Sequence, residues 1–194
     1  METSREVRNL QALAVELPED IIRLKEHGDL ELALKVMYSF VRSYFTIPQQ
    51  VTYIASGMKG DCGLQALLFI TMCRIAGIPA GWQSGLYANP RTIGCHDWAE
   101  FYIEPYGWLF ADCSFGGAAY RAGHPERWEF YFGNLEPYRL PAARGYQKDF
   151  CFPKKYLRTD PYDNQRGEAE YENMGLLEGV DFDTTHEVLK VELE

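Results

Sequence analysis

The chain has 194 residues, of which 46% are hydrophobic and 14% aromatic, and its formal net charge is −9. This length and composition predict one globular domain with a sizeable core and extensions at its ends. Residues 168–194 hold nine Asp or Glu against one Lys, so most of the acidity belongs to the C-terminal segment. The near-neutral remainder, which has no Lys- or Arg-rich run, argues against nucleic acid as a partner.

The same sequence predicts neither a membrane span nor a secreted disulfide scaffold. Its longest apolar run, from Ala66 to Ile70, is far shorter than the roughly 20 residues that cross a bilayer. METSREVRNL lacks the pattern of a secretory signal, and five cysteines without a regular spacing fit reduced thiols. A cytoplasmic location is therefore the default expectation.

The N-terminal part of the chain carries helical patterns. Thr3 and Glu6 fit a capping box, and apolar residues then recur every three or four positions until Ile47-Pro48. We predict a helical N-terminal extension over residues 1–47.

An α+β domain is predicted for residues 48–167. The stretch GDCGLQALLFITMCRIAG has Asp61 as a helix N-cap and keeps an apolar stripe until Gly77-Ile78-Pro79. A helix followed by antiparallel strands is typical of this class. The predicted strands lie near 80–87, 97–103 and 108–113, with a turn at 105–107.

The rest of the chain is predicted to contain little regular structure. Residues 114–167 are rich in Gly, Pro and aromatic residues, which indicates long loops with one or two short strands. Residues 168–194 form an acidic segment, and its last residues, HEVLKVELE, can supply an edge strand.

Cys62 stands in the first turn of the predicted helix, where unpaired backbone N–H groups and the helix dipole favour an anion. This position predicts a lowered pKa and a nucleophilic thiolate, and Gly63 leaves room for a substrate. The alternative is a small buried hydrophobic residue, the commonest role of a free cysteine. Cys73, which lies among apolar residues of the same helix, is predicted to be such a core residue.

A nucleophilic cysteine needs an imidazole as its base and a third group to orient that imidazole. His27, His124 and His186 lie at a helix end, in a loop and in the acidic segment, which leaves His96 as the candidate. Trp98 shares a strand face with His96 and either screens the imidazole from water or packs in the core.

Asp112 is the candidate for the orienting group, because a carboxylate in an apolar strand is costly to bury unless it is paired. A three-residue turn at 105–107 places Asp112 on the face of His96 but opposite Glu100, about 13 Å along the strand from His96. A two-residue turn places it on the other face. A longer connection, a bulge or a bent strand is needed to join the pair, and Glu100 is the competing partner.

The runs GDCGLQALLFITMCRIAGIPAGWQSG and CHDWAEFYIEPYGWLFAD, in this order, resemble the transglutaminase-like superfamily. The likeness covers about residues 53–117, with a weaker likeness in GNLEPYRL. It implies Cys62 as nucleophile, His96 as general base and acid, and Asp112 as the residue that orients the imidazole. It also implies a papain-like α+β core in which the helix of Cys62 packs on an antiparallel sheet.

The resemblance implies cysteine-dependent acyl transfer on peptide or protein amide bonds through a thioester, without a metal or other cofactor. Hydrolysis by a protease or amidase is slightly favoured over transamidation, since the chain looks like bacterial members that lack further domains. Trp98 is a candidate for substrate contact. The alternative is a non-catalytic module that keeps the fold and uses its cleft for binding.

Three other kinds of site are disfavoured. Cys95 and His96 point to opposite faces of a strand, so they are poorly placed to share a metal ion with Cys62 and Cys113. The spacing in DPYDNQRGE does not match a calcium loop, and we predict a turn there. QSG at 83–85 lacks the glycines of a serine nucleophile elbow.

Overall fold

The computed structural model describes residue 55, residues 60–156, residue 158 and residues 163–192. This part of the chain combines helices with an antiparallel sheet, which confirms the predicted α+β class. The helical extension predicted over residues 1–47 lies outside the described residues and stays a prediction.

The first described helix, α1 (Cys62–Ile75), has the predicted cysteine at its first position. Asp61 is its N-cap and accepts a hydrogen bond from the backbone N–H of Leu64 at 2.9 Å, as predicted. Gly77 follows the helix with a φ of +78°, a left-handed conformation that favours glycine at a helix end. Cys73 is 8% exposed, which confirms its predicted place in the core.

Five antiparallel strands form the main sheet, in the order β4-β3-β2-β1-β5. The first three strands are the predicted ones, with ends that differ from the prediction by a few residues. The strands are β1 (Ala80–Asn89), β2 (Thr92–Ile103), β3 (Gly107–Ala111), β4 (Phe132–Gly133) and β5 (Arg139–Ala143).

The hydrophobic core lies between α1 and one face of this sheet. Phe69 of α1 meets Phe101 of β2 edge to face, with ring centroids 5.5 Å apart. The buried members of the core are Ala66, Leu67, Ile70, Cys73, Ala80, Trp82, Ala99, Phe101 and Ala111. The β2 residues in the core are odd-numbered, so the even-numbered side chains, including His96, point to the opposite face.

Two short helices, α2 (Cys113–Arg121) and α3 (Pro125–Phe130), occupy part of the stretch that was predicted as loops. Asp112 leaves the predicted strand and starts α2 as its N-cap. A Cβ at Gly116 would lie 3.2 Å from the ring of Trp128, so glycine allows the two helices to pack closely. The short strands predicted in this stretch are present as β4 and β5, but the prediction of loops was wrong where the two helices lie, because glycines with this packing role weaken the helical pattern.

The acidic segment contains a small two-stranded sheet, formed by β6 (Ala169–Glu170) and β7 (Gly175–Leu176). Residues 186–192 have no regular secondary structure, so the edge strand predicted in HEVLKVELE is absent there. Leu189 is 87% exposed, which differs from the packing of an apolar strand residue. None of the helices in the described ranges is long and apolar enough to cross a membrane.

Candidate active site

The hairpin between β2 and β3 decides whether His96 and Asp112 meet. Its loop runs over residues 104–106 rather than the predicted 105–107. This change moves the pairing register by two residues, so Asp112 lies two residues from His96 instead of four, about 7 Å along the strand. Two side chains on the same face of a sheet can make contact at this separation.

His96 and Asp112 form a buried hydrogen-bonded pair. Nε2 of His96 lies 2.7 Å from Oδ2 of Asp112, and the two residues are 6% and 2% exposed. The other carboxylate oxygen, Oδ1, accepts hydrogen bonds from the backbone N–H groups of Ser114 at 3.1 Å and Phe115 at 2.9 Å. The start of α2 therefore fixes the carboxylate, and the carboxylate fixes the imidazole.

The surroundings of Asp112 keep it ionised. Burial by itself raises the pKa of the carboxyl group, but the hydrogen bond and charge of His96, the Phe115 N–H and the charge of Arg139 together lower this pKa to about 2. Because the carboxylate accepts the proton on Nε2, the neutral imidazole has an unprotonated Nδ1. An unprotonated ring nitrogen is what a general base requires.

Aromatic rings enclose the imidazole. The ring centroids of Phe115 and Trp98 lie 4.3 Å and 6.4 Å from that of His96. Trp98 is 1% exposed and donates a hydrogen bond from Nε1 to Oε1 of Gln83 at 2.8 Å, which fits screening from water better than substrate contact. Nε2 of Gln83 donates to Oε2 of Glu100 at 2.7 Å, so the competing carboxylate has a different partner.

Cys62 lies on the other face of β2. Its thiol donates a hydrogen bond to Asp97, with Sγ 3.4 Å from Oδ2. Asp97 follows His96 in the strand, so the two side chains point to opposite faces. The structure thus brings His96 and Asp112 together and places Cys62 beside the next residue. Within the described residues, no hydrogen bond joins Cys62 to His96.

The protonation state of Cys62 differs from the prediction. Burial, then the negative charge of Asp97 and, more weakly, that of Asp61, raise the pKa of the thiol to about 12. A helix N-terminus favours an anion by only about 0.3–1 kcal/mol, which is less than these opposing effects. In this arrangement Cys62 is a thiol at neutral pH, and the predicted lowering of its pKa was wrong.

Residues 25–113 match the family model of the transglutaminase-like superfamily. This stretch is similar to a transglutaminase-like core. The match includes Cys62, His96 and Asp112, and it confirms the resemblance that the motifs indicate. The Cys62 helix packed on an antiparallel sheet agrees with this core. Members of the superfamily are commonly enzymes, although some are non-catalytic. No curated protein and no solved structure matches the chain.

Arg139 belongs to the same candidate site, although no motif in the sequence singles it out. Its Nη2 lies 2.7 Å from Oδ2 of Asp112, and its Nε lies 2.6 Å from Oε1 of Glu136. It falls within GNLEPYRL, beyond the range of the family match. The available signal was a glutamate and an arginine three positions apart, but this spacing does not reveal that the arginine faces Asp112.

Residues 163–166, which are distant in sequence, lie beside the middle of β2. Nε2 of Gln165 donates hydrogen bonds to Oδ1 of Asp97 at 2.8 Å and to the backbone carbonyl of His96 at 3.1 Å. Asn164 has a φ of +56°, which agrees with the turn predicted in this stretch. These hydrogen bonds attach the segment to β2. No local pattern in the sequence indicates this contact.

Two other cysteines, Cys95 and Cys113, are partly exposed. Sγ of Cys95 accepts a hydrogen bond from Nε of Arg166 at 3.3 Å. Burial, followed by the charge of Asp112 and the nearby Cys73, raises the pKa of Cys113 to about 11. In the part of the chain that the structure describes, no three His, Cys, Asp or Glu side chains are grouped to hold a metal ion.

Proposed function

We propose that this chain is an enzyme in which Cys62 performs acyl transfer on peptide or protein amide bonds. The observation that carries the proposal is the buried His96–Asp112 pair, in which the carboxylate binds Nε2 and leaves Nδ1 of the neutral imidazole free to accept a proton. His96 is also the neighbour in sequence of Asp97, the residue that Cys62 contacts. An imidazole oriented by a buried carboxylate is the usual support of a cysteine or serine nucleophile.

In the proposed mechanism, the start of α1 first moves so that the Cys62 thiol leaves Asp97 and meets Nδ1 of His96, because the two side chains lie on opposite faces of β2 in this structure. Nδ1 takes the proton of the thiol as Sγ attacks the substrate carbonyl carbon, and Asp112 stabilises the imidazolium. Backbone N–H groups in the first turn of α1 stabilise the oxyanion that forms. The C–N bond then breaks, the amine leaves with the proton from His96, and the acyl group remains on Cys62 as a thioester.

Water is the acceptor that we favour for the second half of the reaction. Cys62 is partly exposed and the neighbouring Asp61 is exposed, so water reaches the acyl group. His96 takes a proton from this water, whose oxygen attacks the thioester, and the carboxylic acid leaves as the Cys62 thiol is restored. An amine in the same position gives an amide instead, so hydrolysis and transamidation share one acyl-enzyme.

A non-catalytic binding module is the second candidate function. The observation that favours it is the contact between Cys62 and Asp97, since burial and this carboxylate raise the pKa of the thiol to about 12. In that case the cleft binds a peptide without forming a covalent bond.

Incubation with a peptide library and a labelled primary amine, followed by mass spectrometry, separates the two functions. Cleavage, deamidation or amine incorporation supports acyl transfer, and their ratio identifies the acceptor. We expect Cys62→Ala to abolish all three, whereas the matched variant Cys151→Ser, at an exposed cysteine, retains them. Peptides that bind to the wild type without any change in mass would support the binding module and contradict the enzyme.

A further inference from the structure

Arg139 is buried next to the His96–Asp112 pair. Its side chain is 5% exposed, and its Nη2 lies 2.7 Å from Oδ2 of Asp112, the same oxygen that Nε2 of His96 approaches to 2.7 Å. On its other side, Nε lies 2.6 Å from Oε1 of Glu136 and Nη2 lies 3.2 Å from Oε2. Arg139 therefore joins two carboxylates, one of which is the partner of the imidazole.

Three aromatic rings pack against the guanidinium of Arg139. Its central carbon lies 4.8 Å from the ring centroid of Phe115, 5.2 Å from that of Trp98 and 5.5 Å from that of Tyr87. Phe115 and Trp98 also flank the imidazole, so the guanidinium and the imidazole share one enclosure. Burying an ion costs several kcal/mol, and apolar residues often anchor a strand as well as a buried ion pair does. A charge at this place therefore indicates a task beyond anchoring β5.

The charges around Asp112 determine how strongly it attracts a proton on His96. The ionisable groups that face it or its arginine partner are His96, Arg139, Glu136, Tyr87, Tyr131 and Cys113. The positive charge of Arg139 weakens the field that Asp112 exerts on the imidazole. Removing Arg139 strengthens this field and favours the imidazolium, whereas removing Glu136 has the opposite effect.

We propose that Arg139 is a positioning residue of the active site. It holds Asp112 in the orientation that binds Nε2 of His96, and its charge weakens the pull of the carboxylate on the proton that Nδ1 takes up and gives back during the reaction. The inference rests on the proposed function, because that function makes His96 the base and the acid. The family match ends at residue 113 and does not assign this role.

The test compares Arg139→Gln, which removes the charge, with Arg139→Lys, which keeps the charge but loses the planar fork. We measure the rate of acyl-enzyme formation against pH and take the midpoint on the acidic side of this profile. In the Gln variant we expect that midpoint to move up by about 1 pH unit. In the Lys variant the midpoint stays near that of the wild type, but acylation is roughly tenfold slower because Asp112 is less well oriented. Arg91→Gln, in the exposed turn between β1 and β2, is the matched control and leaves both quantities unchanged.

Glu136→Gln provides a second test of the same coupling, which can be used if Arg139→Gln does not fold. Without this carboxylate the charge of Arg139 acts more strongly on His96, so the midpoint moves down instead of up. The imidazole C–H signals of His96, followed by NMR against pH, report the same two shifts without any turnover. Midpoints that stay unchanged in both variants, in rates and in NMR, overturn the inference. A wild type that forms no acyl-enzyme overturns the proposed function, while the NMR titration still tests the coupling of Arg139 to His96.

Discussion

The two faces of β2 place carboxylates in opposite electrostatic surroundings. On one face, Asp112 lies 2.7 Å from both His96 and Arg139, and these partners hold its pKa at about 2 against the effect of burial. On the other face, the charges of Asp97 and Asp61 add to burial and raise the pKa of Cys62 to about 12. A buried carboxylate thus stabilises a site when cations surround it. When its neighbour is another acidic group, such as a thiol, the carboxylate suppresses the ionisation of that group.

Asp112→Asn removes the carboxylate that contacts both His96 and Arg139, and we expect it to have the largest effect on stability and activity. Arg139 keeps only Glu136 as a charged partner, and the imidazolium that forms on His96 during acyl transfer loses its counter-charge. We expect a loss of about 3–5 kcal/mol in the free energy of unfolding. We also expect acyl transfer to fall by about 10³- to 10⁴-fold, because the imidazole is no longer held in the right tautomer. Denaturant unfolding and acyl-enzyme kinetics measure the two effects.

The pH dependence of stability provides a control for this variant. The folded pKa of Asp112 is about 2, below the value of 3.8 for an unperturbed aspartate, so the unfolded state binds the proton first. The stabilisation by Asp112 is complete above about pH 4 and is lost as the pH falls towards 2. The difference in the free energy of unfolding between the wild type and Asp112→Asn therefore becomes smaller as the pH falls from about 4 towards 2. A difference that does not depend on pH would mean that Asp112 acts through its shape rather than its charge.

Asp97→Asn tests the face of β2 that Cys62 contacts, and we expect it to increase the reactivity of the Cys62 thiol. Loss of this charge lowers the pKa of Cys62 from about 12 part of the way to that of an ordinary thiol, while burial continues to raise it. Each unit of this change gives about ten times more thiolate at pH 8, so alkylation of Cys62 by iodoacetamide accelerates by roughly tenfold or more. Peptide mass spectrometry measures the labelling, with the exposed Cys151 as an internal control. An unchanged rate at Cys62 contradicts the assignment of Asp97 as its controlling partner.

Local rules predicted the start of the helix and the two faces of the strand, but not the contacts between distant segments. Asp61 caps α1 as expected, because an N-cap acts within one turn. The pairing of His96 with Asp112 depended on a loop that starts one residue earlier than its Pro and Gly indicate. Gln165 could not be predicted, since its contact with β2 crosses 68 residues of chain.

The predicted ionisation of Cys62 failed for a related reason. The helix N-terminus is visible in the sequence, and its effect on a thiolate is real but small. The larger effects are burial and the carboxylate of Asp97, and both depend on which face of β2 the helix covers. Electrostatics at a site thus follows from tertiary packing, whereas the identity of the candidate residues follows from motifs.

Gly63→Ala probes how closely the helix of Cys62 approaches the Asp97 face, and its effect is expected to be the smallest. A Cβ at Gly63 would lie 2.9 Å from Oδ2 of Asp97 and 3.0 Å from Cη2 of Trp82, and one of them has to move. We expect a loss of about 1–2 kcal/mol in the free energy of unfolding, because the overpacking outweighs the better helix propensity of alanine. Denaturant unfolding measures this loss.

Gly117→Ala is the matched control, since it is also a glycine-to-alanine change within a helix. Its Cβ would meet only Nη1 of Arg121, at 3.3 Å, the far end of a flexible side chain that can move aside. Helix propensity then dominates, and this variant gains up to about 1 kcal/mol. Opposite signs for the two variants support the tight contact between α1 and Asp97. If Gly63→Ala stabilises the chain as Gly117→Ala does, α1 stands further from β2, and the thiol of Cys62 is not confined by the carboxylate.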